Sequence, residues 1–332
     1  MNLAINGFGR IGRHAFKAAF EKEGVNIVAL NDLTDNETLA HLLKYDSAYG
    51  RYDKKVEHDN ENIIVEGKKI RVFEEKDPSK LPWGDLGVDV VLECTGRFRE
   101  KEAAEMHVTA GAKKVVLSAP GKGGVPMYVR GVNCGKVGQE QAKVIDNASC
   151  TTNCISPVVA VLENKFGIEK AMMSTIHGYT ADQNLQDGPH KDLRRARAAA
   201  LNIIPTTTGA AKSVGKVIPA VDGIFDGFAI RVPVPTVSLV DITMILKKDT
   251  TKKDINNALT EASTNPIYKG ILAVEKDPIV SSDLVGSTYS STVDLALTNV
   301  VGGNLVKVVS WYDNESGYAA RLVELAELFG KE

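Results

Sequence analysis

The segment Gly7-Phe8-Gly9-Arg10-Ile11-Gly12 decides the fold of the first half of this chain. It has the pattern G-x-G-x-x-G, and it lies between the apolar run Leu3-Ala4-Ile5 and a stretch of helical periodicity over residues 12–22. Glycines in this context allow a tight turn, a close backbone approach to a pyrophosphate and close packing of a helix on a strand. The helix that follows offers N–H groups and the positive end of its dipole to phosphates. The segment therefore predicts a dinucleotide-binding unit that begins with Gly7, Gly9 and Gly12.

An acidic residue at the end of the second predicted strand, residues 27–30, agrees with this interpretation. Asp32 follows Gly12 by 20 residues. A carboxylate there can accept hydrogen bonds from both hydroxyls of an adenosine ribose, and it would repel a 2′-phosphate. Further apolar strands are predicted at 88–92, 115–117 and 144–145. Nearly continuous apolar strands separated by helices indicate a parallel sheet covered on both faces. Because Asp32 would repel a 2′-phosphate, we expect NAD as the cofactor.

The second half of the chain has longer strands, several with alternating polar and apolar residues. They are predicted at 172–176, 225–234, 237–246 and 304–311, with helices at 209–217, 251–262 and 315–329. The fold class is therefore α/β, with a Rossmann-type parallel-sheet domain and an α+β catalytic domain that contains a mostly antiparallel or mixed sheet. We expect residues 1–148 to form the NAD-binding domain, to which a C-terminal helix at 315–332 returns, and residues 149–314 to form the catalytic domain.

Composition excludes several other classes. The chain has 332 residues, of which 40 are basic and 42 acidic, so no basic excess indicates nucleic-acid binding as a primary role. No apolar run approaches the roughly 18 residues of a membrane span, and the N-terminus lacks the features of a secretory signal. The 4 cysteines fit a reducing cytoplasm, and the Cys150/Cys154 spacing lacks a second ligand pair for zinc. We expect a cytoplasmic protein without a metal site.

A candidate nucleophile lies at the predicted domain boundary. Ser149 is a suitable N-cap for the apolar helical run over residues 155–162, which puts Cys150 in the first helical turn. The N–H groups and the dipole there favour a thiolate. The alternative interpretation, a small buried apolar residue, is the commoner one for a cysteine taken at random. His177 ends a predicted strand and precedes a glycine, so it can project into a cleft as a base, although its spacing does not prove that it meets Cys150.

The chain resembles the phosphorylating, NAD-dependent glyceraldehyde-3-phosphate dehydrogenases of glycolysis along its whole length. The segments that carry the resemblance are Asn6 to Arg13, Ser149 to Cys154 followed by Pro157, His177 to Thr180, Thr206 to Ala211 and Arg231 to Pro235. The resemblance implies that Cys150 adds to the aldehyde of D-glyceraldehyde 3-phosphate to give a hemithioacetal. It implies that His177 acts as the base, in a thiolate–imidazolium pair, while a hydride leaves for the nicotinamide and a thioester remains. Phosphate would then release 1,3-bisphosphoglycerate.

The resemblance also implies the binding residues and a homotetramer. Thr180 and Arg231 would bind the substrate phosphate. The attacking phosphate would meet Ser149, Thr151, Thr208 and Gly209, with Arg195 close to both phosphates. Besides the glycines, the residues implied for the cofactor are Arg10, Ile11, Asp32, Arg71, Thr95, Ser118, Asn314 at the nicotinamide amide, and Tyr318 nearby. Ser316 stands where family members usually have tryptophan, which implies altered packing near the nicotinamide without loss of function.

Two alternatives remain at this stage. Erythrose-4-phosphate dehydrogenase shares the fold and the nucleophile, but its counterparts of residues 177–180 and 207–210 typically diverge from the residues found here. A dinucleotide-binding regulatory protein is the second alternative. Such a protein would not need Cys150, His177, Arg195 and Arg231 together, because a binding protein needs no activated thiol.

Overall fold

The chain divides into two compact units. The computed structural model describes residues 1–138 and 141–331. The first unit comprises Met1–Tyr128, Gly135–Ala148 and Ala319–Glu332, and the second comprises Val129–Cys134 and Ser149–Tyr318. Within the described residues, no helix is both long and apolar enough to cross a membrane.

The first unit is built on a large, mostly parallel sheet. Its strands are β1 (Asn2–Asn6), β2 (Asn26–Asn31), β3 (Tyr45–Asp46), β4 (Gly50–Arg51), β5 (Val56–His58), β6 (Asn62–Val65), β7 (Lys68–Phe73), β8 (Val90–Glu93), β9 (Lys114–Leu117) and β10 (Val144–Asp146). Its helices include α1 (Arg10–Phe20), α2 (Asn36–Lys44) and α3 (Lys101–Thr109). Eight strands form one sheet in the order β10-β9-β8-β1-β2-β7-β6-β5, and β3 pairs with β4 separately.

Strand pairing confirms the predicted parallel sheet. Neighbouring strands from β10 to β7 are parallel, whereas β6 and β5 continue the sheet as antiparallel strands that the sequence did not predict. The apolar runs form the central strands because their side chains are covered: Leu3, Ile5, Val91 and Leu92 have no exposed surface. Helix α1 buries Phe16, whose ring meets the Phe8 ring edge-on at 5.5 Å. The carboxyl ends of β8, β1 and β2 therefore lie side by side, at the place where ligands bind in open α/β sheets.

The second unit contains a mixed sheet. Its strands are β11 (Ile168–Gly178), β12 (Ile204–Thr206), β13 (Phe225–Val232), β14 (Ser238–Leu246), β15 (Leu272–Glu275), β16 (Ser291–Asp294), β17 (Asn299–Val301) and β18 (Leu305–Tyr312). The helices are α4 (Cys150–Phe166), α5 (Ala210–Val217), α6 (Lys252–Thr264) and the first turn of α7 (Ser316–Lys331). The order is β12-β13-β11-β14-β18-β16-β15, and β17 pairs with β18.

This sheet confirms the prediction of a mixed arrangement. The pairs β11–β13 and β15–β16 are parallel, and the other neighbours are antiparallel. Strand β14 alternates buried and half-buried residues along its whole length, as expected when one face of a sheet packs on a core. Helix α4 contacts β11, β14, β16 and β18. The parallel pairing of β11 with β13 places His177 directly opposite Arg231.

Candidate active site

The three glycines of the first turn differ in the space that a side chain would find at each of them. Gly7 has φ +91°, and a Cβ there would lie 2.7 Å from the Thr95 nitrogen. A Cβ on Gly12 would lie 2.1 Å from the Gly7 oxygen, so the helix can approach the turn only without a side chain. A Cβ on Gly9 would meet nothing within 4 Å, and Gly9 provides no side-chain cap for α1. The turn is thus tight at Gly7, open at Gly9 and closely packed at Gly12, which fits a bound pyrophosphate.

A cleft of about 570 Å³ lies beside this turn, and its lining includes Asp32, Thr95 and Lys76. Asp32 Oδ2 accepts a hydrogen bond from the Phe8 nitrogen at 2.7 Å, and Oδ1 accepts one from the Thr34 nitrogen at 3.1 Å. Each carboxylate oxygen has a second lone pair, so Asp32 can still accept hydrogen bonds from two ribose hydroxyls. Asp32 also holds the glycine-rich turn through the Phe8 nitrogen.

The predicted cofactor residue Arg71 lies elsewhere. It is inside β7, where it pairs with Glu61, and it is absent from the described lining of the cleft. The lining includes the cation Lys76, which follows the carboxyl end of β7. Sequence reasoning missed Lys76 because β7 itself was not predicted. Had it been, the rule that ligands meet the residues after parallel strands would have indicated Lys76 and not Arg71.

Two other residues predicted to bind the cofactor, Arg10 and Ser118, have partners within the first unit. A third, Ile11, lies in α1. Arg10 forms an ion pair of 2.7 Å with Asp46 and lies over the Tyr49 ring. Ile11 is in the first turn of α1. Ser118 follows β9, and its nitrogen donates to the Glu93 carbonyl oxygen at 3.0 Å.

Cys150 begins α4, as the sequence predicts. Ser149 is the N-cap, and its Oγ accepts a hydrogen bond from the Thr152 nitrogen at 3.1 Å. Cys150 is half-buried, and its Sγ lies 3.5 Å from His177 Nε2 and 4.0 Å from Thr151 Oγ1. The structure therefore brings the predicted nucleophile and the predicted base within contact of each other.

The imidazole of His177 is held through its other nitrogen. His177 Nδ1 lies 2.7 Å from the Gly178 carbonyl oxygen and 2.8 Å from Arg231 Nη1. In the tautomer whose Nδ1–H donates to Gly178, Nε2 has a lone pair that can accept the thiol proton of Cys150. In the other tautomer Nδ1 accepts from Arg231 and Nε2 carries the hydrogen. Arg231 Nη1 also donates to the Gly178 oxygen at 3.1 Å and to Thr180 Oγ1 at 3.5 Å.

Burial shifts the pKa of both members of this pair. Burial, with the charge of Arg231 next, lowers the pKa of His177 to about 3. Burial raises the pKa of the Cys150 thiol, whereas Arg231 and the Thr151 hydroxyl act in the opposite direction. The raised pKa of Cys150 and the lowered pKa of His177 both favour a thiol beside a neutral imidazole. The resemblance implies a thiolate–imidazolium pair instead.

Of the residues expected at the two phosphates, those on three segments meet near Cys150. Thr208 and Gly209 lie instead at the start of α5. Thr180 and Arg231 are in contact, as described. The Ser149 hydroxyl caps α4, and Thr151 Oγ1 lies 2.9 Å from the hydroxyl of Tyr312. Arg231 and Thr180 therefore offer a guanidinium and a hydroxyl next to His177, a donor set that suits phosphate oxygens.

Arg195 and the α5 segment are arranged differently. Arg195 Nε donates to Thr206 Oγ1 at 2.9 Å, and its Nη1 pairs with Asp182. Its charge contributes to the lowered pKa of His177, so it lies within electrostatic reach of that residue. Thr208 Oγ1 accepts from the Ala210 nitrogen at 3.2 Å, and Gly209 is the N-cap of α5. The side-chain hydrogen bonds of the second unit's described residues do not join Thr208 or Gly209 to Cys150.

Sequence reasoning missed Tyr312, which ends β18. Its hydroxyl lies 2.9 Å from Thr151 Oγ1 and 2.8 Å from Thr175 Oγ1, and its ring meets the His177 ring edge-on at 5.9 Å. Burial raises the pKa of Tyr312 well above its ordinary value, so the phenol stays neutral as a hydrogen-bonding group. Nothing in the sequence around Tyr312 indicates this position, because it depends on the pairing of β18 with β14.

The last predicted residues lie around the start of α7. Asn314 is buried, and its Oδ1 accepts from Ser238 Oγ at 2.9 Å. Ser316 is the first residue of α7, and its nitrogen donates to Asp313 Oδ1 at 2.9 Å. Tyr318 is also buried. Across residues 1–138 and 141–331, no group of three or more His, Cys, Asp or Glu side chains is arranged to hold a metal ion.

A glycine-rich turn shaped for a pyrophosphate and a cysteine thiol beside a histidine define a class of protein, the NAD-dependent dehydrogenases that act through a thiol. Comparison with known proteins narrows the class. Residues 1–101 match the family model "Glyceraldehyde 3-phosphate dehydrogenase, NAD binding domain", and residues 149–314 match the model of the C-terminal domain of the same family. The chain belongs to the glyceraldehyde-3-phosphate dehydrogenase family and uses NAD as its cofactor.

Similar proteins cover almost the whole chain. The glyceraldehyde-3-phosphate dehydrogenase of Geobacillus stearothermophilus is 54% identical over 326 residues, which are 98% of this chain and 97% of the relative. That of Borreliella burgdorferi is 54% identical over 333 residues, with 98% and 99% covered. Glyceraldehyde-3-phosphate dehydrogenase 1 of Bacillus subtilis is 51% identical over 332 residues, with 100% and 99% covered.

Proposed function

We propose that the chain oxidises and phosphorylates D-glyceraldehyde 3-phosphate to 1,3-bisphosphoglycerate while it reduces NAD, as a glycolytic enzyme. The observation that carries the proposal is the distance of 3.5 Å between Cys150 Sγ and His177 Nε2 at the start of a helix. Arg231 and Thr180 support it, because they present a cation and a hydroxyl beside the same imidazole.

In this proposal the NAD-binding domain comprises residues 1–148 with the C-terminal helix at 315–332, and the catalytic domain comprises residues 149–314. The two compact units and the two family matches support this division. The glycine-rich turn would hold the pyrophosphate of NAD and Asp32 the adenosine ribose. When bound, NAD supplies the acceptor for the hydride.

Cys150 and His177 carry the chemistry on the aldehyde. The thiol proton passes to His177 Nε2 as the sulfur bonds to the aldehyde carbon, and the same proton then neutralises the new alkoxide to give a hemithioacetal. The Cys150 N–H, in the first turn of α4, and the protonated Nε2 are suitable donors to the developing oxyanion. His177 Nε2 next removes the hydroxyl proton as the hydride leaves, and a thioester on Cys150 remains.

Arg231 links substrate binding to the strength of this base. Its charge lies 2.8 Å from His177 Nδ1 and lowers the pKa of the imidazole. A substrate phosphate paired with Arg231 compensates that charge, so the pKa of His177 rises when the substrate is bound. The base therefore becomes stronger only when there is an aldehyde to attack.

A second phosphate then attacks the thioester, and the thiolate of Cys150 leaves as the acyl phosphate forms. Ser149, Thr151, Thr208, Gly209 and Arg195 are proposed to bind it. Holding phosphate next to the thioester raises its effective concentration and compensates part of its charge as it attacks.

The experiment is a steady-state assay of NADH formation with and without inorganic phosphate. We expect strong dependence on phosphate and an acid-labile acyl phosphate as the product. Arg195→Leu should slow phosphate-dependent turnover more than the first burst of NADH. Arg197→Leu is the matched control, because Arg197 is exposed and pairs with Asp187 at 2.7 Å.

Two outcomes would contradict the proposal. Full-rate NADH formation without phosphate, with free 3-phosphoglycerate as the product, would indicate a hydrolytic aldehyde dehydrogenase. A higher kcat/KM for erythrose 4-phosphate than for glyceraldehyde 3-phosphate would indicate the related dehydrogenase.

We also propose that the protein is a homotetramer in the cytoplasm. A cleft of about 910 Å³ on the second unit is lined by Met172, Phe228 and Leu305, whose exposed fractions are 63%, 42% and 40%. Apolar side chains grouped in this way favour association of subunits. The cysteines Cys94, Cys134, Cys150 and Cys154 are all free thiols, which fits a reducing compartment.

A further inference from the structure

Three polar side chains lie next to one another across the carboxyl ends of β8, β1 and β2. Asn6 is the register partner of Asn31 on one side and of Glu93 on the other. Asn31 Nδ2 donates to Asn6 Oδ1 at 2.6 Å, and Asn6 Nδ2 donates to Glu93 Oε2. All three residues are buried, with exposed fractions of 1% for Asn6, 4% for Asn31 and 2% for Glu93. We call Asn31, Asn6 and Glu93 the polar ladder.

Each end of the polar ladder holds a loop that borders the 570 Å³ cleft. At one end, Asn31 Nδ2 donates to the Glu75 carbonyl oxygen and Asn31 Oδ1 accepts from the Glu75 nitrogen, both at 2.9 Å. At the other end, Glu93 Oε1 accepts from the Thr95 nitrogen at 2.8 Å and from the Thr95 hydroxyl. Glu75, Thr95, Asn6 and Asn31 all line the cleft. The ladder therefore connects two loops that both line the cleft.

Glu93 is also held from behind by two fully buried side chains. An indole N–H can only donate, so the 3.0 Å contact from Trp83 Nε1 makes His107 Nδ1 an acceptor. His107 Nε2 then carries its hydrogen and donates to Glu93 Oε2 at 3.0 Å. Neither Trp83 nor His107 has any exposed surface. Glu93 thus accepts from Asn6, His107 and both donors of Thr95, which suits a carboxylate and no neutral side chain of the same shape.

A buried carboxylate is an expensive way to stabilise a core, because apolar residues of similar volume do so at least as well. The position of the Glu93 carboxylate is therefore informative about its role. We propose that Glu93 is a positioning residue for NAD, which fixes both edges of the cleft before the cofactor arrives. Binding then does not have to order the loops at Glu75 and Thr95, and affinity increases accordingly. This inference rests on the proposed binding of NAD at the cleft.

The test is Glu93→Gln, with NAD affinity measured by calorimetry on the full chain. The amide of glutamine brings an N–H against donors, so one or two of the four hydrogen bonds are lost. We expect NAD to bind about tenfold more weakly. The KM for NAD should rise by the same factor, while kcat and the KM for glyceraldehyde 3-phosphate stay unchanged. A purely structural role would not separate the constants in this way.

The matched control is Asp89→Asn. Asp89 precedes β8 at its opposite end, and its carboxylate accepts from the Asn2 nitrogen at 2.7 Å and from Lys113 Nζ at 2.8 Å. The change in charge and hydrogen bonding is similar, but it lies at the amino edge of the same strands. NAD affinity in Asp89→Asn should stay within about twofold of the original chain.

Trp83→Phe is the second variant, and it decides the matter if Glu93→Gln does not fold. It keeps an aromatic ring in the core, removes the N–H that orients His107 together with part of the indole, and lies at a residue outside the cleft lining. We expect about threefold weaker NAD binding. Original affinity in the folded variants, or a loss no greater than in Asp89→Asn, would overturn the inference. Failure of the original chain to bind NAD would instead contradict the proposed function.

Discussion

Replacing Asp32 with asparagine removes one negative charge from the cofactor cleft and keeps the shape of the side chain. Asp32 Oδ2 accepts from the Phe8 nitrogen at 2.7 Å, and an asparagine Oδ1 can keep that hydrogen bond. Asp32→Gly would lose it and loosen the glycine-rich turn. Asp32→Asn therefore removes the charge and the hydrogen bond from the Thr34 nitrogen, and it keeps the hydrogen bond that holds the turn.

The expected gain for NADP follows from Coulomb's law. Two unit charges about 4 Å apart interact by about 1 kcal/mol in water, and a phosphate monoester carries a charge of about −1.5 to −2. Asp32 is half-buried and borders open clefts, so water-like screening applies. Removing its charge should relieve roughly 1.5–2 kcal/mol of repulsion, which corresponds to about 10- to 30-fold tighter NADP binding.

The expected loss for NAD follows from the hydrogen bonds to the ribose. A hydrogen bond to a charged group contributes about 1.5–3 kcal/mol and a neutral one about 0.5–1.5 kcal/mol, so each of two bonds loses about 1 kcal/mol. NAD should therefore bind about 30-fold more weakly. Together the two effects shift the NAD/NADP preference by roughly 300- to 900-fold.

The assay is calorimetric titration of Asp32→Asn with NAD and with NADP. Asp35→Asn, titrated in the same way, is the control. Asp35 Oδ1 accepts from the Thr38 nitrogen at 2.8 Å as the N-cap of α2, and asparagine caps a helix equally well. Asp35 lines an adjacent cleft of about 420 Å³ that Asp32 also borders. The control should change the preference by less than about threefold, since Asp35 is absent from the described lining of the 570 Å³ cleft. An unchanged preference in Asp32→Asn would refute the assignment of Asp32 to the ribose.

Three further predictions concern other parts of the molecule. Limiting iodoacetamide should label Cys150 first and abolish activity, because Cys150 is half-buried at a helix N-terminus. If mass spectrometry found Cys94 labelled first with activity intact, the role of Cys150 would be contradicted. Burial lowers the pKa of His14 to about 3, below the unfolded value of 6.5, so the unfolded state binds the extra proton and stability falls as the pH drops from 6.5 towards 3. The slope is about 1.4 kcal/mol per pH unit, and His14→Phe should flatten the corresponding fall in the calorimetric Tm; an unaltered slope would show that His14 is protonated in the folded state. Phe228→Asp places a charge among the exposed apolar side chains of the 910 Å³ cleft and should lower the mass measured by light scattering, whereas an unchanged mass would place the subunit interface elsewhere.

Local features of the site were predictable because they depend on residues within a few positions of one another. The glycine-rich turn needs only Gly7, Gly9 and Gly12, and each has the geometry that its place in the pattern requires. The start of α4 at Cys150 depends on Ser149, whose hydroxyl caps the helix. Hydrophobic periodicity likewise indicated the central strands and the change from a parallel to a mixed sheet.

Weakly patterned segments were missed for the opposite reason. Strands β5 and β7 contain many half-buried or exposed residues and have no continuous apolar run, and β6 has only the run of three residues at 63–65. The resemblance implied Arg71 for the cofactor, whereas the described lining of the cleft beside the glycine-rich turn includes Lys76, after the end of β7, and Arg97. Helices α2 and α3 are short, at 9 residues each, and were also not predicted.

Local patterns in the chain were enough to mark Cys150 and His177 as candidates for the chemistry, whereas their contact depends on how distant segments pack. Cys150 and His177 are 27 positions apart, and Arg231 is 54 positions beyond His177. They converge because β11 and β13 pair in parallel with His177 opposite Arg231, and periodicity gives the face of a strand but neither its neighbour nor its register. The polar ladder has the same origin, since Asn6 and Glu93 are 87 positions apart and become partners only through the register of β1 with β8.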